Sequence, residues 1–127
     1  MIKAIGGVFL YSSDPAGLAS WYQKYLGIQY EHNKEYDVWY CTLPYIDKDS
    51  GKETYQVWSV MRLRADEVRG NTVTINLRAV NLDNFITTIR EQGIEVEGPE
   101  KHEQGLFAWI TDPSGNRIEL WEDSQLL

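Results

Sequence analysis

The spacing of apolar and polar residues near the C-terminus predicts a β-hairpin. Two apolar-rich runs, residues 107–111 and 117–121, flank the five residues Asp-Pro-Ser-Gly-Asn. Pro113 favours a φ value near −65° and Gly115 tolerates a positive φ, so the residues between the runs are typical of a turn. Two strand-like runs joined by such a turn are the sequence signal of a hairpin.

The second strand of this hairpin has two chemically different faces. Ile118 and Leu120 point to one side, while Arg117, Glu119 and Trp121 point to the other. A carboxylate on the same face as a tryptophan is a candidate site. The solvated face of an antiparallel sheet shows the same alternation, however, and the pattern alone favours that interpretation.

Two helices are predicted by apolar residues that recur at helical spacing, near residues 15–26 and 83–92. For the first helix, Asp14 is the expected N-cap and Gly27 the expected stop. For the second helix, the cap is Asn81 or Asp83, and Gly93 is the expected stop. Strands are predicted around these helices, at residues 2–11, 28–32, 36–43, 54–62, 72–79, 94–96 and in the terminal hairpin, with polar connections at 47–52 and 66–71.

Each half of the chain therefore follows the order strand, helix, strand, strand, strand. Sequence identity between the halves is too low to indicate a repeat by itself, but the order of elements and the helix boundaries match.

Composition narrows the possible partners. At 127 residues the chain is predicted to be a single domain, and its net charge of −7 excludes nucleic acid as a ready partner because phosphate binding needs clustered Lys and Arg. The single cysteine, Cys41, excludes an intrachain disulfide. No run approaches the roughly 18 apolar residues of a membrane span, and the N-terminus does not read as a signal peptide. We expect a soluble cytoplasmic protein.

Three segments carry a resemblance to a known superfamily. They are GGVFLYSSDPAGLASWYQKYLGI, TINLRAVNLDNFITTIREQGIEV and AWITDPSGNRIELWE. The first two resemble the openings of the two modules of vicinal-oxygen-chelate proteins, and the third resembles the terminal hairpin. This superfamily includes glyoxalase, extradiol dioxygenases, fosfomycin-resistance enzymes and bleomycin-resistance proteins.

The resemblance implies an α+β fold, with two βαβββ modules in one chain that form a curled mixed sheet around a cleft. The helices are then on the outer face, the modules cover about residues 1–65 and 66–127 of one domain, and a homodimer is expected. The residues expected to face the helices are Val8, Leu10, Ile75, Leu77, Ile118 and Leu120.

The resemblance also implies four positions for metal ligands, on the face opposite the helices. The first falls on Gly7, which has no side chain, and the one that opens the second module falls on Thr74. The third falls on Gln56 or Trp58, and the last matches Glu119. A catalytic zinc site typically needs three protein ligands, so we expect neither a metal nor another cofactor.

No other motif in the sequence indicates a catalytic centre. His32 and His102 lie among charged residues without a second His at ligand spacing, so both are expected to be exposed surface residues. Glu119 could act as a general base or as an acceptor for a ligand's cation or N–H group, and the sequence leaves both open. Catalytic residues are therefore not assigned.

The aromatic content gives the most information about function. Strand phase places Phe9, Tyr11, Trp58 and Trp121 on the face expected to line the cleft, and Trp109 lies in the neighbouring strand. Aromatic walls with one carboxylate suit a planar or cationic organic ligand. The predicted ligand-binding residues are Phe9, Tyr11, Gln56, Trp58, Thr74, Asn76, Trp109, Glu119 and Trp121.

Two functions follow from different classes of protein. The first is a metal-independent binding protein, similar in type to bleomycin-resistance proteins, that binds a small planar or cationic molecule. The second is a metal-dependent glyoxalase-like lyase or isomerase, or a dioxygenase, that uses ligands the sequence pattern does not reveal. The lost ligand positions, the acidic charge and the aromatic residues favour the first.

Overall fold

The fold is α+β, with two four-stranded mixed sheets that each carry one helix. It is seen in a computed structural model that describes residues 5, 7–63 and 74–124. The backbone contacts divide the chain into two compact units, Met1–Val68 and Arg69–Leu127. The predicted strand residues 2–4, 6, 72 and 73 and the predicted connector 66–71 lie outside the described residues.

The first unit contains one complete βαβββ module. Its elements are β1 (Gly7–Ser12), α1 (Pro15–Leu26), β2 (Glu31–Asn33), β3 (Val38–Ile46) and β4 (Glu53–Arg62). The sheet order is β1-β4-β3-β2, in which β1 runs parallel to β4 and the other pairs are antiparallel. Helix α1 packs against β1, β3 and β4.

The second unit repeats this arrangement. Its elements are β5 (Thr74–Arg78), α2 (Leu82–Glu91), β6 (Glu97–His102), β7 (Gly105–Thr111) and β8 (Arg117–Asp123). The sheet order is β5-β8-β7-β6, again with one parallel pair, β5 with β8. The module order predicted for each half is therefore confirmed.

The predicted ends of α1 are confirmed in detail. The Asp14 carboxylate accepts a hydrogen bond from the Gly17 backbone N–H at 3.1 Å, which satisfies one of the free donors of the first turn. Gly27 ends the helix with φ of 72°, a conformation that costs little without a side chain. The buried face consists of Pro15, Leu18, Ala19 and Tyr22.

The N-terminus of α2 is capped by a residue that the sequence pattern does not indicate. Asn81 occupies the N-cap position, but its side chain makes no capping hydrogen bond. Instead, the Glu122 carboxylate accepts hydrogen bonds from the backbone N–H groups of Asn81 at 2.7 Å and Leu82 at 3.3 Å. Asn81 is therefore the N-cap residue, one of the two predicted, but the capping acceptor comes from β8 and not from its own side chain.

Two predicted strands are displaced along the chain. The strand predicted at residues 28–32 begins only at Glu31, and residues 94–96 are not a strand, because β6 follows them. Every residue of β6 is exposed. Because no residue of β6 is buried, the strand shows no apolar alternation, and its place at the edge of the sheet lets it tolerate a proline.

The hydrophobic core of the second unit lies where the alternation places it. Ile75, Ile118 and Leu120 are buried on one face of the sheet, and Leu82, Ile86 and Ile89 form the buried face of α2, which packs against β8. In the first unit Leu10 is buried, as predicted, and Val8 is half-buried. Neither described helix is long and apolar enough to cross a membrane.

Candidate functional site

One face of the second sheet brings together most of the predicted site residues of that unit. Asn76 on β5 and Trp109 on β7 both pair directly with Glu119 on β8. Directly paired residues point to the same side of a sheet, so these three side chains share a face. Thr74 pairs with Arg117 at the end of the same face and is exposed.

The same register adds one residue on each side of Trp121. Arg78 on β5 and Phe107 on β7 are its direct partners. The residues between these positions, including Ala108 and Ile118, are buried on the opposite side of the sheet. We call the exposed side the aromatic face, which consists of Asn76, Arg78, Phe107, Trp109, Glu119 and Trp121.

Three rings on the aromatic face form a stacked row. Phe107 lies between the two tryptophans, with ring centroids 6.5 Å from Trp109 and 5.8 Å from Trp121. The planes differ by only 16° and 6°, so the three rings are nearly parallel. All three side chains are half-buried and so keep part of their surface accessible to a ligand.

An arginine lies against each end of the row. The Arg78 guanidinium is 4.4 Å from the Trp121 ring centroid, and that of Arg117 is 5.7 Å from the Trp109 ring. Each arginine also pairs with a carboxylate, Arg78 with Asp123 at 2.7 Å and Arg117 with Glu97 at 3.2 Å. Both positive charges are therefore compensated locally.

Glu119 is held by two neutral donors. Its Oε1 accepts a hydrogen bond from the Asn76 amide at 2.8 Å, and its Oε2 accepts one from the Trp109 indole N–H at 2.9 Å. A carboxylate can accept about four hydrogen bonds, so acceptor capacity remains. Among the described residues no cation pairs with Glu119, and its negative charge is not compensated by a partner.

A surface depression of about 770 Å³ adjoins Trp109. It is lined by Arg90, residues 93–97 and residues 109–111. The Arg90 guanidinium donates hydrogen bonds to the carbonyl groups of Val96 and Gly98, which ties the last turn of α2 to the start of β6. This volume is within the range of small-molecule pockets, and Trp109 forms part of its lining.

Trp58 does not lie on the face of Gly7, and that prediction was wrong. The side chain is 2% exposed, its ring packs edge-on against Tyr22 of α1 at 5.1 Å, and its indole N–H donates to the Tyr30 hydroxyl at 2.8 Å. Burial raises the pKa of Tyr30, although the hydrogen bond from Trp58 acts in the opposite direction. Trp58 is a core residue beneath the helix.

Gln56 has the same strand phase as Trp58 and was likewise placed on the wrong face. Its amide donates to the Ile5 carbonyl at 3.0 Å. Gly7 pairs instead with Val57, so the face expected to carry the metal ligands contains Val57, Ser59 and Met61. The predicted position opposite Gly7 on β4 was wrong by one residue, and a shift of one residue exchanges the two faces of a strand.

Phe9 and Tyr11 lie on the face of Gly7, as the strand phase predicted. Phe9 pairs with Ser59 and is 52% exposed, and Tyr11 pairs with Met61 and is half-buried. Both remain predicted ligand contacts of the first unit. The register of β4 against β1 places Ser59 and Met61 on this face as well, which the sequence pattern did not indicate.

The residues at the four ligand positions do not fit the metal centre that the superfamily implies. A Cβ at position 7 would lie 2.5 Å from the Val57 carbonyl oxygen, so a ligating side chain requires the backbone to move. Thr74 offers a neutral hydroxyl, and both Glu119 oxygens already accept hydrogen bonds. Nowhere in residues 5, 7–63 and 74–124 do three His, Cys, Asp or Glu side chains form a group that could hold a metal ion.

Both histidines are exposed surface residues, as predicted. His32 stacks on Trp39 with ring centroids 3.9 Å apart, and its Nε2 lies 3.0 Å from Asp37. Hydrogen bonds from His32 and Arg62 hold the pKa of Asp37 below its usual value. His102 pairs with Glu100 at 3.1 Å. Each histidine is therefore engaged with a neighbouring carboxylate.

Solved structures of similar fold cover nearly the whole chain. A putative glyoxalase family protein from Bacillus anthracis has a TM-score of 0.72 at 17% identity, with 98% of each chain covered. TnmS3, an antibiotic binding protein from Streptomyces sp. CB03234, has a TM-score of 0.66 at 20% identity, covering 97% of this chain and 98% of that one. Lactoylglutathione lyase from Agrobacterium tumefaciens has a TM-score of 0.66 at 18% identity, covering 98% and 96%.

At these identities the structural likeness establishes the fold alone. A comparison with curated proteins finds no match. A family model, however, matches residues 4–120, well over half of the chain. With the two βαβββ modules, this match shows that the chain belongs to the Glyoxalase/Bleomycin resistance protein/Dioxygenase superfamily.

Proposed function

We propose that this chain is a metal-independent binding protein that holds a small planar organic ligand on its aromatic face. The observation that carries the proposal is the row of three nearly parallel rings formed by Trp109, Phe107 and Trp121. Stacking on such rings contributes about 0.5–1.5 kcal/mol for each aromatic pair beyond the burial of area. A planar ligand gains from this arrangement whatever its hydrogen-bonding groups.

The row is held in place before a ligand arrives. The indole N–H of Trp121 donates to the Gln104 carbonyl at 3.1 Å, and that of Trp109 donates to Glu119. Binding to groups that are already ordered loses less conformational entropy than binding to mobile side chains. This preorganisation favours the interpretation that the aromatic face is a binding surface. Aromatic residues that are exposed by chance would not need such hydrogen bonds.

The charge of the face favours a cationic ligand over a neutral one. Arg78 and Arg117 are neutralised by their carboxylate partners, whereas the donors that contact Glu119 among the described residues are both neutral. The net charge of −7 over the whole chain acts in the same direction at longer range. We therefore expect a planar cation to bind more tightly than a neutral molecule of the same shape.

The likeness to TnmS3, which is described as an antibiotic binding protein, supports a binding function. A metal-dependent reaction is less well supported, because the donor set at the superfamily's ligand positions does not fit a divalent transition metal. We further propose that the protein is a cytoplasmic homodimer. This part rests on the superfamily resemblance and on the composition.

Titration with two tricyclic dyes of different charge tests the proposal. Proflavine is a planar cation, and acridone is a neutral molecule of similar shape. We expect both to bind and to quench tryptophan fluorescence, with proflavine binding more tightly. Replacing Trp121 with Ala should weaken both by about tenfold, the equivalent of 1.4 kcal/mol. Tyr36→Ala, which removes an aromatic ring that is 69% exposed in the other unit, is the matched control.

Two results count against the proposal. If neither dye binds, or if Trp121→Ala binds both as tightly as the unchanged protein, the aromatic face is not the binding surface. Metal analysis of protein purified without an affinity tag provides the second test. Stoichiometric zinc, nickel, manganese or iron would favour the metal-dependent enzyme instead.

A further inference from the structure

We infer that Glu119 is a positioning residue, which holds the indole ring of Trp109 in the plane that a ligand stacks on. The inference rests on the proposed binding function of the aromatic face. It assigns to Glu119 a task that differs from metal ligation and from direct contact with a ligand. The task is carried out through a chain of hydrogen bonds across three adjacent strands.

The chain of hydrogen bonds runs from β5 through β8 to β7. The Asn76 amide donates to one carboxylate oxygen of Glu119, and the Trp109 indole donates to the other. Asn76 and Trp109 are the direct cross-strand partners of Glu119, so the three side chains are already adjacent through the backbone register. Each strand contributes one residue, and the carboxylate is the only member that contacts both others.

This geometry restrains a ring that would otherwise rotate. The terminal torsion of a tryptophan side chain is broad, so packing on one side does not fix the ring plane. A hydrogen bond of 2.9 Å from the indole N–H to an acceptor on the neighbouring strand removes much of this freedom. Asn76 in turn restrains the longer Glu119 side chain. In this arrangement the Trp109 plane lies 16° from the Phe107 plane.

Because the donors to Glu119 are neutral, substitutions can distinguish a role in positioning Trp109 from a role in recognising a ligand's charge. Both oxygens of Glu119 accept hydrogen bonds from neutral groups, and a Gln side chain can keep an acceptor for the indole and a donor for a rotated Asn76 amide. A Met side chain of similar length keeps the volume but offers no comparable acceptor. Glu119→Gln therefore retains the positioning, whereas Glu119→Met removes it.

The indole resonances of the protein in solution report on Trp109 directly. The chain has five tryptophans, and the peak of Trp109 is identified by its loss in Trp109→Phe. We expect this indole proton to move upfield and to exchange faster with solvent in Glu119→Met, and to stay close to its original position in Glu119→Gln. Asn76→Ala, at an exposed residue, should produce a smaller change in the same direction.

Acridone affinity measured on the same variants completes the test, because a neutral probe is insensitive to the lost charge. Glu119→Met should weaken acridone binding by about tenfold, which corresponds to one lost stacking contact, and Glu119→Gln should leave it nearly unchanged. Glu91→Met, at an exposed position on α2, is the matched control and should have no effect. Circular dichroism verifies that each variant is folded.

The possible failures can be told apart. If the unchanged protein binds neither acridone nor proflavine, the proposed function fails. If it binds proflavine alone, that dye replaces acridone in the comparison of Glu119→Met with Glu119→Gln, in which both variants lack the charge. If it binds, but Glu119→Met binds equally well or Glu119→Gln loses as much as Glu119→Met, the positioning role fails while the proposed function stands. If Glu119→Met does not fold, the Trp109 resonance of Asn76→Ala decides, and an unchanged peak would overturn the inference.

Discussion

Replacing Trp58 tests the strand register on which the description of the first unit depends. The strand phase predicts that Trp58 is a ligand-binding residue. In the structure the Trp58 side chain is 2% exposed, lies beneath α1 against Tyr22 and donates a hydrogen bond to the Tyr30 hydroxyl. A buried residue of this kind affects stability, and a residue on an accessible face affects mainly ligand affinity. The two descriptions therefore predict different outcomes for the same substitution.

The expected loss of stability follows from the burial. Truncating a buried Phe or Trp to Ala typically lowers the free energy of unfolding by about 3–5 kcal/mol. For 127 residues the entropy of unfolding is about 0.27 kcal/mol/K, so each 1 kcal/mol lowers the midpoint by about 4 °C. Trp58→Ala should therefore lower the melting temperature by about 11–19 °C. Trp58→Phe keeps a ring but leaves the Tyr30 hydroxyl without its donor, which costs about 1–3 kcal/mol.

Thermal and urea unfolding followed by circular dichroism measures both variants, with Trp121→Ala as the matched control. Trp121 is half-buried on the aromatic face, so its replacement should cost only about 1–2 kcal/mol. Dye binding is measured below the midpoint of each variant. A melting temperature of Trp58→Ala within about 3 °C of the original, together with a loss of dye binding, would refute the register of β4.

Three further predictions concern the ion pairs of Asp37, the cap of α2 and the oligomeric state. The pKa of Asp37 is lowered from 3.8 in the folded protein, so the ionised carboxylate stabilises the fold above about pH 4, and this stabilisation is lost as the pH falls further. The difference in urea midpoint between the unchanged protein and Asp37→Asn should therefore shrink towards pH 2. A constant difference would contradict this. Glu122→Ala should lower the free energy of unfolding by about 0.5–2 kcal/mol, since α2 loses its capping acceptor, and equal urea midpoints would show that the cap is dispensable. Light scattering at micromolar concentration should give twice the chain mass of 14.7 kDa, and a species of 14.7 kDa alone would argue against the homodimer.

The sequence by itself determined the features that depend on neighbouring residues. Asp14 caps α1 because its acceptor lies three residues from the donor, and Gly27 ends the helix because glycine adopts positive φ without steric cost. The alternation of Ile118 and Leu120 with Glu119 likewise places the core and the aromatic face of β8 on opposite sides. The order of elements in both modules follows from such local patterns.

Only the tertiary structure decided the features that depend on pairing between distant segments. The face on which Trp58 lies depends on the register of β4 against β1, and both faces of β4 carry apolar residues, so alternation does not distinguish them. The cap of α2 comes from Glu122, 41 residues after Asn81 in the sequence. The exposed edge strand β6 exists only because β7 is there to pair with it.

The candidate site shows the same division. The sequence identified Glu119, Trp109 and Trp121 as members of a possible binding face, because strand phase and residue type are readable along the chain. It did not reveal that Asn76 and Trp109 engage the two oxygens of Glu119, or that Phe107 completes the row of rings. These contacts join three strands, and their distances are set by the sheet register, which no local pattern specifies.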